Sequence, residues 1–453
     1  MFRVRVAEKT RNHPWYGKGS SLCYVIDGEE SKELRLMRGA QYRFSLEAEG
    51  HPFYLSSSEE GAGEGSLMGM MKPVERGNLD ILVSSELPER MYYQCHRHLY
   101  MGGRVRVVPH ESIHLTPFSG DMVAPLSIVQ RKGDDAWYIA DQIGVVYRVE
   151  GKKRTVYLDI RDKVVNLDRE YDERGLLDIA FDPSGGNVVY VFYSAGRDSL
   201  YENRIARYTG DEEEILLRIE KEEKIHNGGR MAFGRDGYLY IGIGDGGPQK
   251  DPQGHAQDLS VLSGKILRID VGGKKGYKIP KDNPYVGKVG VREEIYCSGF
   301  RNPWGISFDS SNRCFVVDVG YNDVEEVNIL ERGGNYGWNM KEGTRLTGFS
   351  SLRGIRVVDP IWEYTHDWLI KRMGKKGGIA VIGGYYLDGY GYVFGDYAGV
   401  IMRIDLDSRD NKWKLVETVE IGKEIHAFGL DRQNRLFVMT KGKEGGMVYE
   451  VLL

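Results

Sequence analysis

The sequence predicts an all-β protein whose C-terminal part forms a six-bladed β-propeller. Glycine supplies 59 of the 453 residues, nearly twice the usual share of about 7%, with no Gly-x-y period. Because these glycines lie among short apolar runs, they indicate many tight turns between strands. A strand–turn–strand pattern also recurs along the chain, and no helical period of comparable length appears. A generic all-β repeat, such as an array of sandwiches, is the alternative.

Six copies of the repeat run from about residue 120 to the C-terminus. In each copy a short apolar run reaches an aspartate or a turn, and an aromatic-rich strand follows. The copies lie at residues 126–140, 177–193, 230–242, 304–318, 379–394 and 427–439. Strand units repeated every ~40–50 residues or more are typical of propeller blades. The last copy suits a ring that has to be sealed, so we expect a propeller over 120–453.

Charge and cysteine content restrict the possible partners. The net charge is −4 and no basic stripe stands out, so nucleic acid is not an expected partner. No apolar run approaches ~18 residues, so no membrane span is expected. The N-terminal stretch lacks the apolar segment of a secretion signal, and the compartment stays open. Free buried thiols are expected for the cysteines outside any metal site, although a Cys297–Cys314 bridge stays possible.

The first hundred residues contain a candidate copper site. Cys95, His98 and Met101 follow the spacing Cys-x2-His-x2-Met, and His51 lies upstream. A thiolate, two imidazoles and a weak axial thioether are the ligands of a type 1, or blue, copper centre. A zinc site is less suited, because no second ligand pair lies nearby. A packed loop without metal is the other alternative.

The strands around these residues resemble the cupredoxin family. Residues 42–46 alternate like a half-buried strand, 91–95 form an aromatic strand that ends on the cysteine, and 102–108 return as a final strand. The resemblance covers roughly residues 1–110 and implies an antiparallel β-sandwich domain over 1–112. It also implies that copper is held by His51, Cys95, His98 and Met101. His96 lies off the pattern and is expected at the surface or next to the ligands.

Within the repeat, three glycine-rich strings carry the residues with chemical potential. His226 precedes Gly228-Gly229, and a histidine at such a turn is well placed as a general base. The glycines would let the backbone approach a ligand closely. Arg301 suits a carboxylate or oxyanion clamp, and the backbone and acids of 320–326 could bind a hard cation. The alternative for each is turn chemistry with a structural histidine or a salt bridge.

Together these strings resemble the soluble quinoprotein glucose/sorbosone dehydrogenase family, most closely its hedgehog-interacting-protein-like branch, over roughly residues 120–453. The resemblance implies a six-bladed propeller that binds pyrroloquinoline quinone (PQQ) and calcium on its axis and oxidises aldoses. His226 would take the sugar hydroxyl proton, and Arg301 would polarise the quinone oxygens. The family positions for the remaining contacts are Glu173 and Asn302 for the cofactor, and the main-chain carbonyls of Gly320 and Tyr321 for calcium.

The chain also departs from that family pattern. Ile225 and Glu173 replace an aspartate and a glutamine of a glucose-oxidising type. The paired arginines that grip the cofactor carboxylates are replaced by Glu424 and His426, and a late lysine is replaced near Tyr397. Losing cations around a tricarboxylate should weaken binding, because charge-assisted contacts are strong.

Two functions therefore stay open. The first is a quinone-dependent sugar or polyol dehydrogenase that passes single electrons to its own copper, with a possible acceptor protein beyond. The second is a propeller that binds a glycan or a protein without catalysis.

Overall fold

The computed structural model describes residues 2–37, 41–67, 72–84, 87–108, 113–168, 172–197, 200–352, 354–374, 378–407, 410–442 and 445–453. The chain divides into two compact units, Met1–Ser112 and Ile113–Leu453. Almost all regular structure is β-strand, which confirms the predicted all-β class.

The N-terminal unit is a β-sandwich. Its strands are β1 (Phe2–Glu8), β2 (Leu22–Ile26), β3 (Glu29–Glu30), β4 (Leu34–Met37), β5 (Gln41–Glu47), β6 (Phe53–Ser56), β7 (Arg76–Leu82), β8 (Arg90–Cys95) and β9 (Gly103–Val108). One sheet has the order β3-β2-β1-β5-β7 and the other β4-β9-β8-β6. The prediction that the sandwich is antiparallel is wrong for two strand pairs, because β1 pairs with β5 and β4 pairs with β9 in parallel. Both sheets contribute to one apolar core, which includes Phe44 and Leu46 from one and Phe53 and Tyr93 from the other.

The first half of the second unit contains one single strand and three four-stranded sheets. The strands are β10 (His114–Met122); β11 (Pro125–Gln130), β12 (Trp137–Asp141), β13 (Val145–Glu150) and β14 (Lys153–Asp159); β15 (Leu176–Phe181), β16 (Val188–Arg197), β17 (Leu200–Thr209) and β18 (Glu212–Lys221); and β19 (Gly228–Phe233), β20 (Leu239–Ile243), β21 (Lys265–Ile269) and β22 (Ile295–Ser298).

The second half contains the remaining three sheets. The elements are β23 (Pro303–Phe308), β24 (Cys314–Asp318), β25 (Val324–Ile329), the small hairpin β26 (Lys341–Glu342) and β27 (Arg345–Leu346), β28 (Trp362–Thr365), α1 (His366–Met373), β29 (Val381–Leu387), β30 (Gly391–Asp396), β31 (Val400–Asp407), β32 (Lys412–Glu420), β33 (Glu424–Leu430), β34 (Leu436–Gly442) and β35 (Gly445–Leu452). The short α1 begins at an N-cap, Thr365, and ends at Gly374. No helix among the described residues has the length and apolarity to cross a bilayer.

These sheets form the predicted six-bladed propeller. The first strands of successive sheets, β11, β15, β19, β23, β29 and β33, each contact the next, and β33 contacts β11, so the ring closes. Each of the six sequence copies supplies the first two strands of one blade.

The last blade is completed by a strand from the beginning of the unit. Its order is β10-β35-β34-β33, with His114 opposite Leu452 and Thr116 opposite Glu450. Residues 114–119 therefore belong to the ring, although the sequence analysis began the propeller at residue 120. Residues 109–112, at the end of the predicted first domain, lie outside the described residues.

All four cysteines are buried free thiols. The Cys297–Cys314 bridge that the sequence left open is absent, and the Cys297 thiol donates instead to the Glu331 carbonyl at 3.1 Å.

Candidate functional site

The propeller unit contains a cavity of about 900 Å³, at the upper end of the size range of small-molecule sites. Segments from five of the six blades supply its walls. The lining residues are Leu126, Gln142, Asp172, Glu173, Asn302, Trp304, Val319, Ala380, Ile382, Tyr397, Gly422, Lys423, Glu424, His426, Thr440, Lys441, Gly442, Gly445, Met447 and Tyr449.

His226 lies at the edge of this region in a buried hydrogen-bonded chain. Its Nδ1 lies 2.7 Å from Oδ1 of Asp245, and the indole N–H of Trp338 donates to the other Asp245 oxygen at 2.8 Å. Burial alone would raise the pKa of Asp245, but the hydrogen bond and charge of His226 keep it below its ordinary value. A carboxylate that accepts the Nδ1 proton leaves Nε2 with the lone pair, as a general base requires.

The turn at His226 is fixed by its neighbours. His226 has a φ of 53°, which is uncommon for a residue other than glycine. Its N–H donates to Oε2 of Glu173 at 2.7 Å. A Cβ at Gly244 would lie 2.1 Å from the His226 carbonyl oxygen. The glycine of this string therefore permits contact between two protein segments, whereas the sequence suggested contact with a ligand.

Replacing Gly244 by alanine should displace His226. Overpacking a closed site costs about 1–3 kcal/mol, so we expect the propeller to melt several degrees earlier and activity to fall. Gly273→Ala is the matched control, because its added Cβ would lie 3.6 Å from the nearest atom. Calorimetric melting of both variants tests this, and equal melting temperatures would contradict it.

Arg301 and Asn302 are held by the carboxylate of Asp318. The two backbone N–H groups donate to separate Asp318 oxygens at 2.8 and 2.7 Å. The Asn302 amide oxygen accepts from the N–H of Gly228 at 2.8 Å. That contact leaves the Asn302 NH₂ group as a donor on a residue that lines the cavity.

The Arg301 guanidinium faces the loop that the sequence assigned to calcium. Its Nη1 donates to the carbonyls of Val319 and Gly320 at 3.1 and 2.7 Å, and its Nη2 donates to the Gln249 side chain. Four consecutive N–H groups of the loop, from Tyr321 to Val324, donate to one oxygen of Glu342 at 2.7–3.1 Å. Glu342 therefore fixes the loop, and the Gly320 carbonyl already has a cationic partner.

The predicted propeller residues thus gather in one region but differ in access. Glu173 and Asn302 line the cavity. His226 and Arg301 are only 3% and 4% exposed and lie behind the lining. Glu173 connects the two layers through the His226 N–H.

The wall formed by β33 and β34 carries both signs of charge. Glu424 and His426 stand on β33, and Lys423 and Lys441 lie beside them. Burial lowers the pKa of His426 to about 4, and Lys441 and Arg230 add to the effect. His426 is therefore neutral at neutral pH, and its buried Nε2 has no hydrogen-bond partner among the described residues.

The N-terminal unit holds a second candidate site, at the predicted copper ligands. The Nδ1 atoms of His51 and His98 are 3.1 Å apart, and the Cys95 Sγ lies 4.0 and 3.4 Å from them. Metal bonds of about 2.0 Å to nitrogen and 2.3 Å to sulfur would place trigonal ligands ~3.5 and ~3.7 Å apart. The donor set therefore fits one metal ion, with small adjustments.

The surrounding loop is firmly attached. The N–H of Arg97 donates to the Cys95 sulfur at 3.4 Å. The N–H of Tyr24 donates to the Met101 carbonyl at 2.8 Å. Met101 is fully buried in the same core as Cys95. His96 is exposed and packs edge-on against Tyr54, outside the cluster.

Another group of metal-binding residue types, His13, Cys23 and Glu30, lies in the same unit. The Cys23 thiol donates to Glu30 at 3.4 Å, and Thr10 donates to both Glu30 oxygens. The His13 Nδ1 accepts from the Trp15 N–H at 3.1 Å, so the neutral ring carries its proton on Nε2. The Nδ1 lone pair is then already engaged, and the buried Nε2 has no hydrogen-bond partner among the described residues.

Sequence reasoning missed several residues of the propeller site. Asp245 lies in the glycine-rich segment 243–247, and that setting was the available signal. Trp338 ends another glycine-rich segment, residues 333–338. Lys423, Lys441 and Glu342 had no local signal, because they face residues of a neighbouring strand or loop and not residues beside them in the sequence.

Comparisons with known proteins agree with the propeller. The Glucose / Sorbosone dehydrogenase family matches residues 125–447. The chain is 39% identical to the HIPL1 protein of Arabidopsis thaliana over 182 residues, 36% of this chain and 26% of that protein. It is 29% identical to quinoprotein glucose dehydrogenase B of Acinetobacter calcoaceticus over 248 residues, 47% and 50% of the two chains. It is 27% identical to the mouse (Mus musculus) hedgehog-interacting protein over 400 residues, 78% and 54%. The matches span between a quarter and about half of these relatives.

Two solved structures show the same propeller. The apo form of the soluble aldose sugar dehydrogenase from Escherichia coli has a TM-score of 0.61 at 22% identity and covers 75% of this chain and 99% of its own. The PQQ-bound aldose sugar dehydrogenase from Streptomyces coelicolor has a TM-score of 0.57 at 24% identity, with coverages of 75% and 98%. At these identities the likeness establishes the fold alone.

Proposed function

The chain belongs to the glucose/sorbosone dehydrogenase family, and from that membership we propose that it is a quinone-dependent dehydrogenase of sugars or polyols. We propose further that electrons leave through a type 1 copper in its N-terminal unit. The buried His226–Asp245 pair beside the 900 Å³ cavity carries the proposal. An oriented imidazole next to a site for a small molecule is the arrangement that alcohol oxidation needs.

The residues in and behind the cavity wall would have separate roles in cofactor binding and proton transfer. Bound PQQ would supply the hydride acceptor. His226 would take the hydroxyl proton of the substrate on Nε2, and Asp245 would stabilise the imidazolium that results. Asn302 would hold the cofactor with its NH₂ group, and Glu173 would orient His226 through the backbone contact at 2.7 Å.

Arg301 and calcium would compete for the same oxygen. Calcium binds main-chain carbonyls readily, and we propose that Gly320 and Tyr321 supply two of them. Because the Gly320 carbonyl accepts from Arg301 at 2.7 Å and two cations at one oxygen repel each other, bound calcium would weaken the contact between Arg301 and Gly320. Release from Gly320 would free Arg301 for the quinone oxygens, so calcium and quinone binding should assist each other.

Arg301→Ala should weaken PQQ binding in calcium by at least about tenfold, since a hydrogen bond to a charged group contributes ~1.5–3 kcal/mol. Arg403→Ala is the matched control, because Arg403 is a half-buried arginine of another blade that contacts Glu417 and Tyr390. Calorimetric titration measures both affinities. Equal affinity of wild type and the Arg301 variant would contradict the assigned role.

Copper completes the proposal, because a two-electron donor needs a one-electron outlet. His51, Cys95 and His98 supply two imidazoles and a thiolate that suit both copper oxidation states, and Met101 is the proposed weak axial ligand. Oxidation of aldoses and polyols with a dye acceptor, after addition of PQQ, calcium and copper, tests the function. If wild type binds sugar but oxidises none, the propeller is a binding module instead.

A further inference from the structure

The ammonium group of Lys441 has no partner among the residues that the structure describes. Lys441 stands near the end of β34, half-buried in the cavity wall. Within the described residues, which leave out 443–444, its ammonium group makes no hydrogen bond or ion pair. Glu424 lies directly opposite in the strand pair, yet no contact within 4.0 Å joins the two charges. An ammonium group in a cavity wall that has no partner in the described part of the protein is available to bind an anionic ligand.

Two more nitrogen groups lie on the same side of the cavity. The exposed Lys423 precedes β33 at the rim, and its Nζ lies 5.5 Å from the ring centre of Tyr449. The buried Nε2 of His426 has no partner in the described residues. His426 and Lys441 are close enough for the lysine charge to lower the pKa of the imidazole. Glu424 is directed towards His426, with 4.0 Å between its carboxylate and Nε2.

We infer that Lys441 and Lys423, with His426 as a neutral partner, bind the carboxylate groups of the quinone cofactor. This inference rests on the proposed function. In the family pattern arginines at positions 424 and 426 supply that charge. Here the cation lies on the neighbouring strand at Lys441, across the β33–β34 pair from position 424. The positive charge therefore lies one strand away from the family position. The loss of the two arginines does not leave this end of the cavity without a cation.

The inference also assigns an effect to Glu424. Its carboxylate stands among the groups that would receive the cofactor carboxylates, and like charges at close range repel. Glu424 would therefore limit the affinity for PQQ, and Glu424→Gln should tighten binding several-fold. This wall of the cavity would then present two cations that attract the cofactor, Lys441 and Lys423, and one anion that lowers the affinity, Glu424.

Calorimetric titration of the full chain with PQQ in calcium tests the inference. Lys441→Met keeps the length and apolar stem of the side chain but removes the charge, so we expect affinity to fall about tenfold or more. Lys423→Met should have a smaller effect because it is exposed, and the double variant should lose the most. Lys281→Met, in a loop outside the cavity, is the matched control. Equal melting temperatures would show that the variants fold.

A second probe separates this inference from the proposed function. Benzene-1,3,5-tricarboxylate has three carboxylates and no quinone. If wild type binds PQQ and the Lys441 variants bind it equally well, the role of Lys441 in binding the cofactor carboxylates is overturned. The proposed quinone-dependent function then stands. If wild type binds the tricarboxylate in a Lys441-dependent way but not PQQ, the anion site stands and the quinone function is overturned. If neither ligand binds, both are overturned.

Discussion

Replacing Cys95 by serine should abolish the blue colour of the copper-loaded protein. The strong absorption of a type 1 centre comes from charge transfer between the thiolate and copper. A serine hydroxyl cannot supply that charge transfer and is a poor substitute for a sulfur ligand. The Cys95 sulfur lies 3.4 Å from one imidazole nitrogen and 4.0 Å from the other, so no other described cysteine can replace it in the cluster. Absorption spectroscopy after loading with one equivalent of copper measures the effect.

His96→Ala is the matched control for this prediction. His96 belongs to the same loop but packs against Tyr54 outside the cluster, so its loss should leave the colour intact. Met101→Leu should also keep the colour and raise the reduction potential, because a weak axial donor is removed. A colourless wild-type protein saturated with copper would contradict the copper assignment.

Replacing His226 by alanine should lower the rate of sugar oxidation by a factor of about 10²–10⁴, the usual contribution of a positioned general base. The effect should lie mainly in kcat, because the base takes the proton in the transition state and contributes little to ground-state binding. Steady-state kinetics of the loaded protein with a dye acceptor measure it.

His255→Ala is the matched control, since the His255 Nδ1–H donates to the Asp245 carbonyl at 3.1 Å rather than to the Asp245 carboxylate. Asp245→Asn should act through His226. It keeps the shape of the side chain but stops holding the Nδ1 proton, so we expect a smaller loss of rate and a changed pH profile. A His226 variant that folds and oxidises sugar at the wild-type rate would contradict the role of His226 as the general base.

The blades could be predicted from the sequence because their signal is local. Each copy, such as 230–242, combines an alternating apolar strand with a turn, and both lie within 13 to 17 residues. The closing strand β10 could not be predicted in the same way. Its partner β35 lies more than 300 residues later, at the other end of the propeller unit. Pro117 and its polar neighbours resemble a connecting loop when that segment is considered alone.

The candidate site shows the same division. Cys95, His98 and Met101 lie within one short segment of the chain, so the sequence alone shows that they are close together. Lys441 and Glu342 act on groups that are distant in the sequence. The carboxylate of Glu342 accepts four N–H groups from a loop about twenty residues away, and no residue pattern around it indicates that contact.

The measurement that tests the central claim most directly is anaerobic mixing of an aldose with the protein loaded with PQQ, calcium and copper. The blue absorption of the copper is followed over time. If sugar oxidised in the propeller delivers electrons to the N-terminal copper, the colour should bleach in wild type and bleach at least about a hundredfold more slowly in His226→Ala. Colour that persists in wild type while sugar is consumed would contradict the electron outlet, and colour that persists with no sugar consumed would contradict the dehydrogenase.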